Sequence, residues 1–232
     1  MQRLIALVIV LAALAGCDDV VIESSTGQAP ASQPLPARSD ARTFAQVVRA
    51  IEPVAERECR ARTRGVNCDF RIVVDDRRGL PSNAYQTEDD TGRPIIAFTQ
   101  ALIREARNAD EIAFVMGHEA AHHIEGHLAR QQQNAVAGAV IFGGLATLSG
   151  GDAGAVENAQ RLGATVGARS YSKEFELEAD ALGTVITARA GFDPLVGALF
   201  FDRIPDPGDR FLGTHPPNAE RKAIVQRVAA GL

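Results

Sequence analysis

Tryptophan is absent from the 232 residues, and aromatic residues of all kinds make up only 5%. That excludes an aromatic platform on which bases or sugars stack. Positive charge is not in surplus: 24 Lys and Arg stand against 29 Asp and Glu, a formal net charge of −5. A nucleic-acid partner, which requires a basic stripe, is thereby excluded. No run of about 18 apolar residues follows the N-terminal segment, so a polytopic membrane protein is excluded as well. There is no G-x-x-x-x-G-K-[ST] phosphate loop and no internal repeat. What is present, 46% hydrophobic and 23% charged residues, is the make-up of one globular domain able to bury a core.

The front of the chain is different. Arg3 followed by an unbroken apolar stretch from Leu4 to Ala15 reads as an export signal. It is too short to cross a bilayer of about 30 Å at about 1.5 Å per residue. Leu14-Ala15-Gly16-Cys17 resembles a bacterial lipobox. Residues 1–16 are then a removed lipoprotein signal peptide, and Cys17 is the lipidated new N-terminus that anchors the chain to a membrane. Residues 17–40, with Pro30, Pro34, Pro36 and no apolar period, read as a flexible tether. That leaves 41–232 as the folded domain. The expected location is the bacterial cell envelope, on the periplasmic face of the inner or outer membrane. With Cys17 acylated, two cysteines remain, and an exported compartment oxidises thiols. Cys59 and Cys68 are therefore expected to form a disulfide.

The domain reads as predominantly helical with a small sheet. A helix from Asp40 carries Phe44, Val47, Val48 and Ile51, breaks at Pro53 and resumes to about Arg62. Phe70–Val74 is a strand, 75–93 is rich in turn residues, and Pro94–Phe98 is a second strand whose leading proline suits an edge. Thr99 caps a helix over 100–107, and Asn108 or Asp110 opens another that runs to about Arg130. The Ala/Gly-rich segment 135–155 reads as a close-packed core helix or as cover over an active site. Helices around 173–190, after Pro194 and after Pro217 complete the domain.

The chemistry concentrates at His118-Glu119-Ala120-Ala121-His122, an H-E-x-x-H within a helical pattern. His118 and His122 differ by about 40° of azimuth, so both imidazoles project from one face. Two neutral imidazoles suit tetrahedral zinc. Glu119 lies beside the open coordination position, where it can take a proton from a metal-activated water. If the helix continues, His123 sits about 100° from His122 and His127 about 180° from His118, so neither shares the ligand face. A third ligand must come from elsewhere. Glu174, Glu176 and Glu178, opening the 173–190 helix, are the carboxylate candidates.

Three motifs in order are specific. H-E-x-x-H at 118–122, S-[RK]-x-x-E-x-E-A-D-x-x-G from Ser172 to Gly183, and the late Thr214-His215-Pro216 followed by Arg221 together resemble peptidase family M48, the HtpX-like and CAAX-prenyl-protease-like gluzincins. Asn83-Ala84-Tyr85 is similar to that family's N-A-F segment, and Asn108–Ala113 to its N-x-x-E-L-A lead-in. With its leader, the chain looks most like the small lipoprotein branch, the BepA and LoiP type. The resemblance implies an α+β, predominantly α-helical gluzincin-type metalloprotease fold, with a small antiparallel sheet and an HExxH active-site helix. It implies one zinc per subunit on His118, His122 and Glu176, Glu119 as general base, and Asp180 orienting His118 from behind. Helical phasing agrees: Glu176 and Asp180 share a face, whereas Glu174 and Glu178 lie about 200° away, towards solvent.

The family's edge strand binds substrate through its main chain; here that strand is Asn83, Ala84 and Tyr85, or Ile95–Phe98. Residues 86–93 are more acidic than the family's usual Gly-rich turn. By resemblance His215 is a latch in the fourth zinc position; alternatively His215 or Arg221 donates to the oxyanion. The third reading is a turn histidine with Arg221 in a surface salt bridge. The function expected is a zinc-dependent endopeptidase that cleaves misfolded or misassembled envelope proteins. The rival is an envelope chaperone or assembly factor whose zinc is structural or latched. Glu119 separates them, because a structural zinc site needs no carboxylate beside an open position.

Overall fold

The computed structural model describes residues 38–208 and 213–232. The expected leader over 1–16, Cys17 and tether residues 17–37 lie outside them. Helix α1 (Arg38–Arg62) takes in residues 38–40 and runs continuously through Pro53, so the break expected at that proline does not occur. A proline inside a helix removes one backbone hydrogen bond. Here Val47, Ile51, Val54 and Ala55 are buried on both sides of it, and α1 packs on α3 (Ala109–Ile124). Burying that apolar stripe outweighs the lost bond. Cys59, near the end of α1, and Cys68, just before the first strand, are joined by a disulfide with their Cα atoms 5.7 Å apart. The bridge pins the helix to the sheet.

Three strands, β1 (Arg71–Asp75), β2 (Ala84–Glu88) and β3 (Pro94–Thr99), are arranged β1-β3-β2. β1 is parallel to β3 and β2 antiparallel to it. The sheet is therefore mixed where a wholly antiparallel one was expected: β2 falls between its neighbours in sequence but outside β3 in space. β3 is central rather than an edge, with Ile96, Ala97 and Phe98 buried. Its proline is tolerated because it stands first, where no interior ladder bond is lost. β2 itself lies in the stretch read as turns. The acidic residues after it are turn chemistry, since Asp89 Oδ1 accepts from the backbone N–H of Thr91 at 2.9 Å and of Arg93 at 3.1 Å.

Thr99 Oγ1 accepts from the Leu102 N–H at 3.3 Å to open α2 (Gln100–Glu105). Asn108 Oδ1 accepts from the Glu111 N–H at 2.9 Å to open α3. α3 is the central helix, buried along most of its length. It stops at Ile124 and not near Arg130, because Gly126 adopts φ 65°, a left-handed conformation that favours glycine. The chain then leaves in a new direction as α4 (His127–Leu148).

α4 and α5 (Ala153–Ser170) form a hairpin that packs chiefly on itself. Along it Val136, Val140, Ile141, Leu145 and Leu148 are exposed. The Ala/Gly-rich segment is thus neither in the core nor over the cleft. Among the described residues no helix is long and apolar enough to cross a membrane. α6 (Ser172–Arg189) packs along α3. After α7 (Pro194–Gly197) and a 3-10 turn (Ala198–Asp202), α8 (Asn218–Ala229) packs on α6.

Candidate metal centre

His118 and His122 stand one turn apart on α3, and their Nε2 atoms lie 3.0 Å from each other. α6 brings Glu176 against both, with carboxylate oxygens 3.5 Å from His118 Nε2 and 3.4 Å from His122 Nε2. Each of the three offers a ligand atom, and all three atoms lie within 4.8 Å of one another. The two helices come this close because glycine meets glycine: a Cβ added at Gly183 of α6 would sit 2.8 Å from the His118 backbone nitrogen. Two imidazoles and one carboxylate are a donor set that suits zinc.

Behind this group lies a second row of charge. Asp180, one turn beyond Glu176, is fully buried and reaches His118 Nδ1 at 2.9 Å. The Arg221 guanidinium on α8 clasps Asp180, Nε to Oδ2 and Nη2 to Oδ1, both at 2.7 Å. Arg221 is itself buried, so the surface salt bridge considered for it does not exist. Burial opposes a charge on His118, but the hydrogen bonds that His118 donates to Asp180 and Glu176 outweigh it and push the ring's pKa up to about 10. Burial would raise the Glu176 carboxyl, yet His118, His122 and His215 hold it well below the usual carboxylate range. The cluster favours positive charge at its centre, as a cation site must.

His118, His122, Glu176 and Arg221 floor a cleft of about 630 Å³, into which Glu119 also opens. One wall is β2 with the residue before it: Asn83, Ala84 and Tyr85 border the cleft, and among the described residues β2 is paired with β3 on one side only. Ile95–Phe98 is corrected as a substrate edge, because β3 is paired on both sides. His215, with a side chain 53% exposed, brings Nδ1 to 3.0 Å from Glu176 Oε2.

Two side chains escaped the sequence reading. His127 was placed on the far side of a continuous helix, but the turn at Gly126 returns it to His122, with the two Nδ1 atoms 2.8 Å apart. Burial pulls the His127 ring down to a pKa of about 4, against its hydrogen bond to Glu178. Glu178, expected in solvent, is only partly exposed and meets both His127 and Arg130. The signal was available, since a Glu-Gly pair after a helical run marks a stop.

A model of peptidase family M48 matches residues 41–229. Relatives whose names carry the words beta-barrel assembly-enhancing protease occur in Vibrio cholerae serotype O1 and Escherichia coli O157:H7. The first is 33% identical over 129 residues, covering 53% of this chain and 26% of that protein. The second is 30% identical over 156 residues, covering 58% and 30%. The mitochondrial metalloendopeptidase OMA1 of Arabidopsis thaliana is 27% identical over 135 residues, covering 56% and 27%. The chain therefore spans less than a third of the length of these relatives.

Proposed function

Because the chain belongs to peptidase family M48, we propose that it is a zinc-dependent endopeptidase of the cell envelope. The observation that carries this is the convergence of His118, His122 and Glu176 on one point of a cleft that Glu119 shares. His118, His122 and Glu176 hold one zinc ion. When bound there, zinc supplies Lewis acidity, acidifying water and polarising a peptide carbonyl. The Glu119 carboxylate takes the proton of the attacking water and delivers it to the departing amide nitrogen. Asp180, itself clasped by Arg221, accepts the Nδ1–H of His118 and so leaves Nε2 free as a ligand atom.

The free edge of β2 receives an extended substrate by main-chain hydrogen bonds, with Asn83, Ala84 and Tyr85 nearest the ligand cluster. The substrates are misfolded or misassembled envelope proteins. The words beta-barrel assembly in the names of the bacterial relatives and the leader sequence both support that class. Residues 1–16 direct export, lipidated Cys17 anchors the chain at the periplasmic face, and residues 41–232 do the chemistry.

Exchanging Glu119→Gln tests the reading. Zinc content should stay at one ion per chain while casein cleavage falls about 10²-fold or more, and a chelator should abolish cleavage by the wild-type protein. Cleavage by the variant near the wild-type rate overturns the mechanism. His215, poised beside Glu176, acts as a latch over the fourth zinc position. His215→Ala should therefore raise basal cleavage in the same assay; a fall would assign it to the oxyanion instead.

A further inference from the structure

His118 has a carboxylate directly behind it in Asp180, whereas behind His122 stands an imidazole, His127, backed in turn by Glu178 of the E-x-E-A-D segment. His122 Nε2 faces His118 and Glu176, so Nε2 is its ligand atom and Nδ1 points away from the cluster. We infer that His127, Glu178 and Arg130 form a relay that sets the tautomer and ring angle of His122 for zinc. The inference rests on the zinc reading above and goes beyond it.

The row reads from the outside in. Arg130 Nη1 donates to Glu178 Oε2 at 2.5 Å, and Nη2 lies 3.4 Å from Oε1, so the carboxylate is held in place. His127 Nε2 lies 2.9 Å from the same Oε2. A carboxylate can only accept, so His127 Nε2 carries a hydrogen and its Nδ1 presents a lone pair. That lone pair meets His122 Nδ1 at 2.8 Å, so His122 Nδ1 must be the donor. With its hydrogen on Nδ1, His122 leaves Nε2 bare for the metal. The opposite arrangement would put a lone pair of His127 against the Glu178 carboxylate and a hydrogen where zinc binds. One end of the row decides the other.

Packing fixes the ring planes as well. The His127 side chain is 5% exposed and stacks on Phe175 with centroids 4.6 Å apart and planes 12° from parallel. His127 and Arg130 lie three apart on the first turn of α4, and Phe175 and Glu178 three apart on α6. Each pair therefore shares one face of its helix, and the relay joins α3, α4 and α6 at a single imidazole. His127 is a positioning residue: it acts through His122, whose Nδ1 it meets.

Zinc affinity of the purified protein, measured by competition with a chelating dye, tests this apart from activity. The visible spectrum of the cobalt-substituted protein reports ligand geometry. His127→Phe keeps an aromatic ring to stack on Phe175 but removes both nitrogens. It should weaken zinc binding by about 10–100-fold and shift the cobalt bands, with the melting temperature of the metal-free protein little changed. His127→Gln restores an acceptor for His122 and a donor for Glu178, and should recover most of the affinity. Glu178→Ala, at a partly exposed position that tolerates change, should weaken binding about tenfold, so the relay stays testable if His127→Phe fails to fold. Wild-type affinity and an unshifted cobalt spectrum in His127→Phe, or wild-type affinity in Glu178→Ala, overturn the relay alone. A wild-type protein that takes up no zinc overturns the zinc reading together with it.

Discussion

The α3–α6 pair and the α4–α5 pair meet by the same device. A Cβ added at Gly117 or Gly183 would fall 2.9 Å from the Gly183 carbonyl oxygen or 2.8 Å from the His118 nitrogen. Added at Gly138 or Gly163, it would fall 2.0 or 2.2 Å from the carbonyl oxygen of the facing glycine. The surroundings differ. α3 has α1, the sheet, α6 and the segment around α7 against it, while α4 and α5 have mainly each other. Against the first pair, charged groups are buried and must find partners: Arg221 of α8 and Asp180 of α6 are 9% and 0% exposed at their side chains. In the second, Arg161 and Glu157 pair with side chains 63% and 67% exposed. Close approach of two backbones sets a distance; exclusion of water from their flanks is what makes that distance a site.

Removing one partner of each ion pair should separate the regions most sharply. Arg221→Ala leaves Asp180 short of its main counter-charge and should cost about 3–5 kcal/mol. Smaller, but more telling for function, is Gly183→Ala. Its methyl group can be placed only by moving α3 from α6, which should cost about 1–3 kcal/mol and, by displacing the ligand cluster, lower kcat/KM about 10²-fold. The matched change Gly163→Ala should cost no more than about 1–3 kcal/mol. It should leave kcat/KM within about twofold while hydrogen exchange quickens across 131–170, because the opening is local. Arg161→Ala should do least, about 0.3–0.5 kcal/mol in a urea melt and less in high salt. Equal losses of activity from the two glycine changes would break the comparison, and so would equal costs from the two arginine changes.

Much of the site is local in origin, and to that extent legible. His118 and His122 share a face because four residues make little more than one helical turn, and Glu176 and Asp180 share a face for the same reason. The caps at Thr99 and Asn108 are equally local, each using a side chain to satisfy an N–H three residues on. β2 was not legible from its own pattern, and only the family resemblance offered Asn83–Tyr85 as a strand, since Ala84–Glu88 is a half-buried edge strand without the alternating apolar pattern that marks a strand against a core. The position of β3 was misread because a leading proline is compatible with an edge and with the first residue of a central strand alike. His127 was misplaced because its azimuth was counted through Gly126, where the helical phase is lost.

The sequence by itself determined which residues are the candidates for the site, because H-E-x-x-H and E-x-E-A-D set their spacing within single helices, where 3.6 residues per turn translates number into direction. It determined the helical character of the domain for the same reason. Only the tertiary structure decided how far apart those helices stand, which strand keeps a free edge beside them, and which side chains press on the ligand residues from behind. Such contacts join residues remote in the chain: Asp180 to Arg221, His127 to Glu178, Cys59 on α1 to the start of the sheet. No repeat along the backbone encodes them. They follow from which faces water leaves, and that is settled by all the elements packing at once.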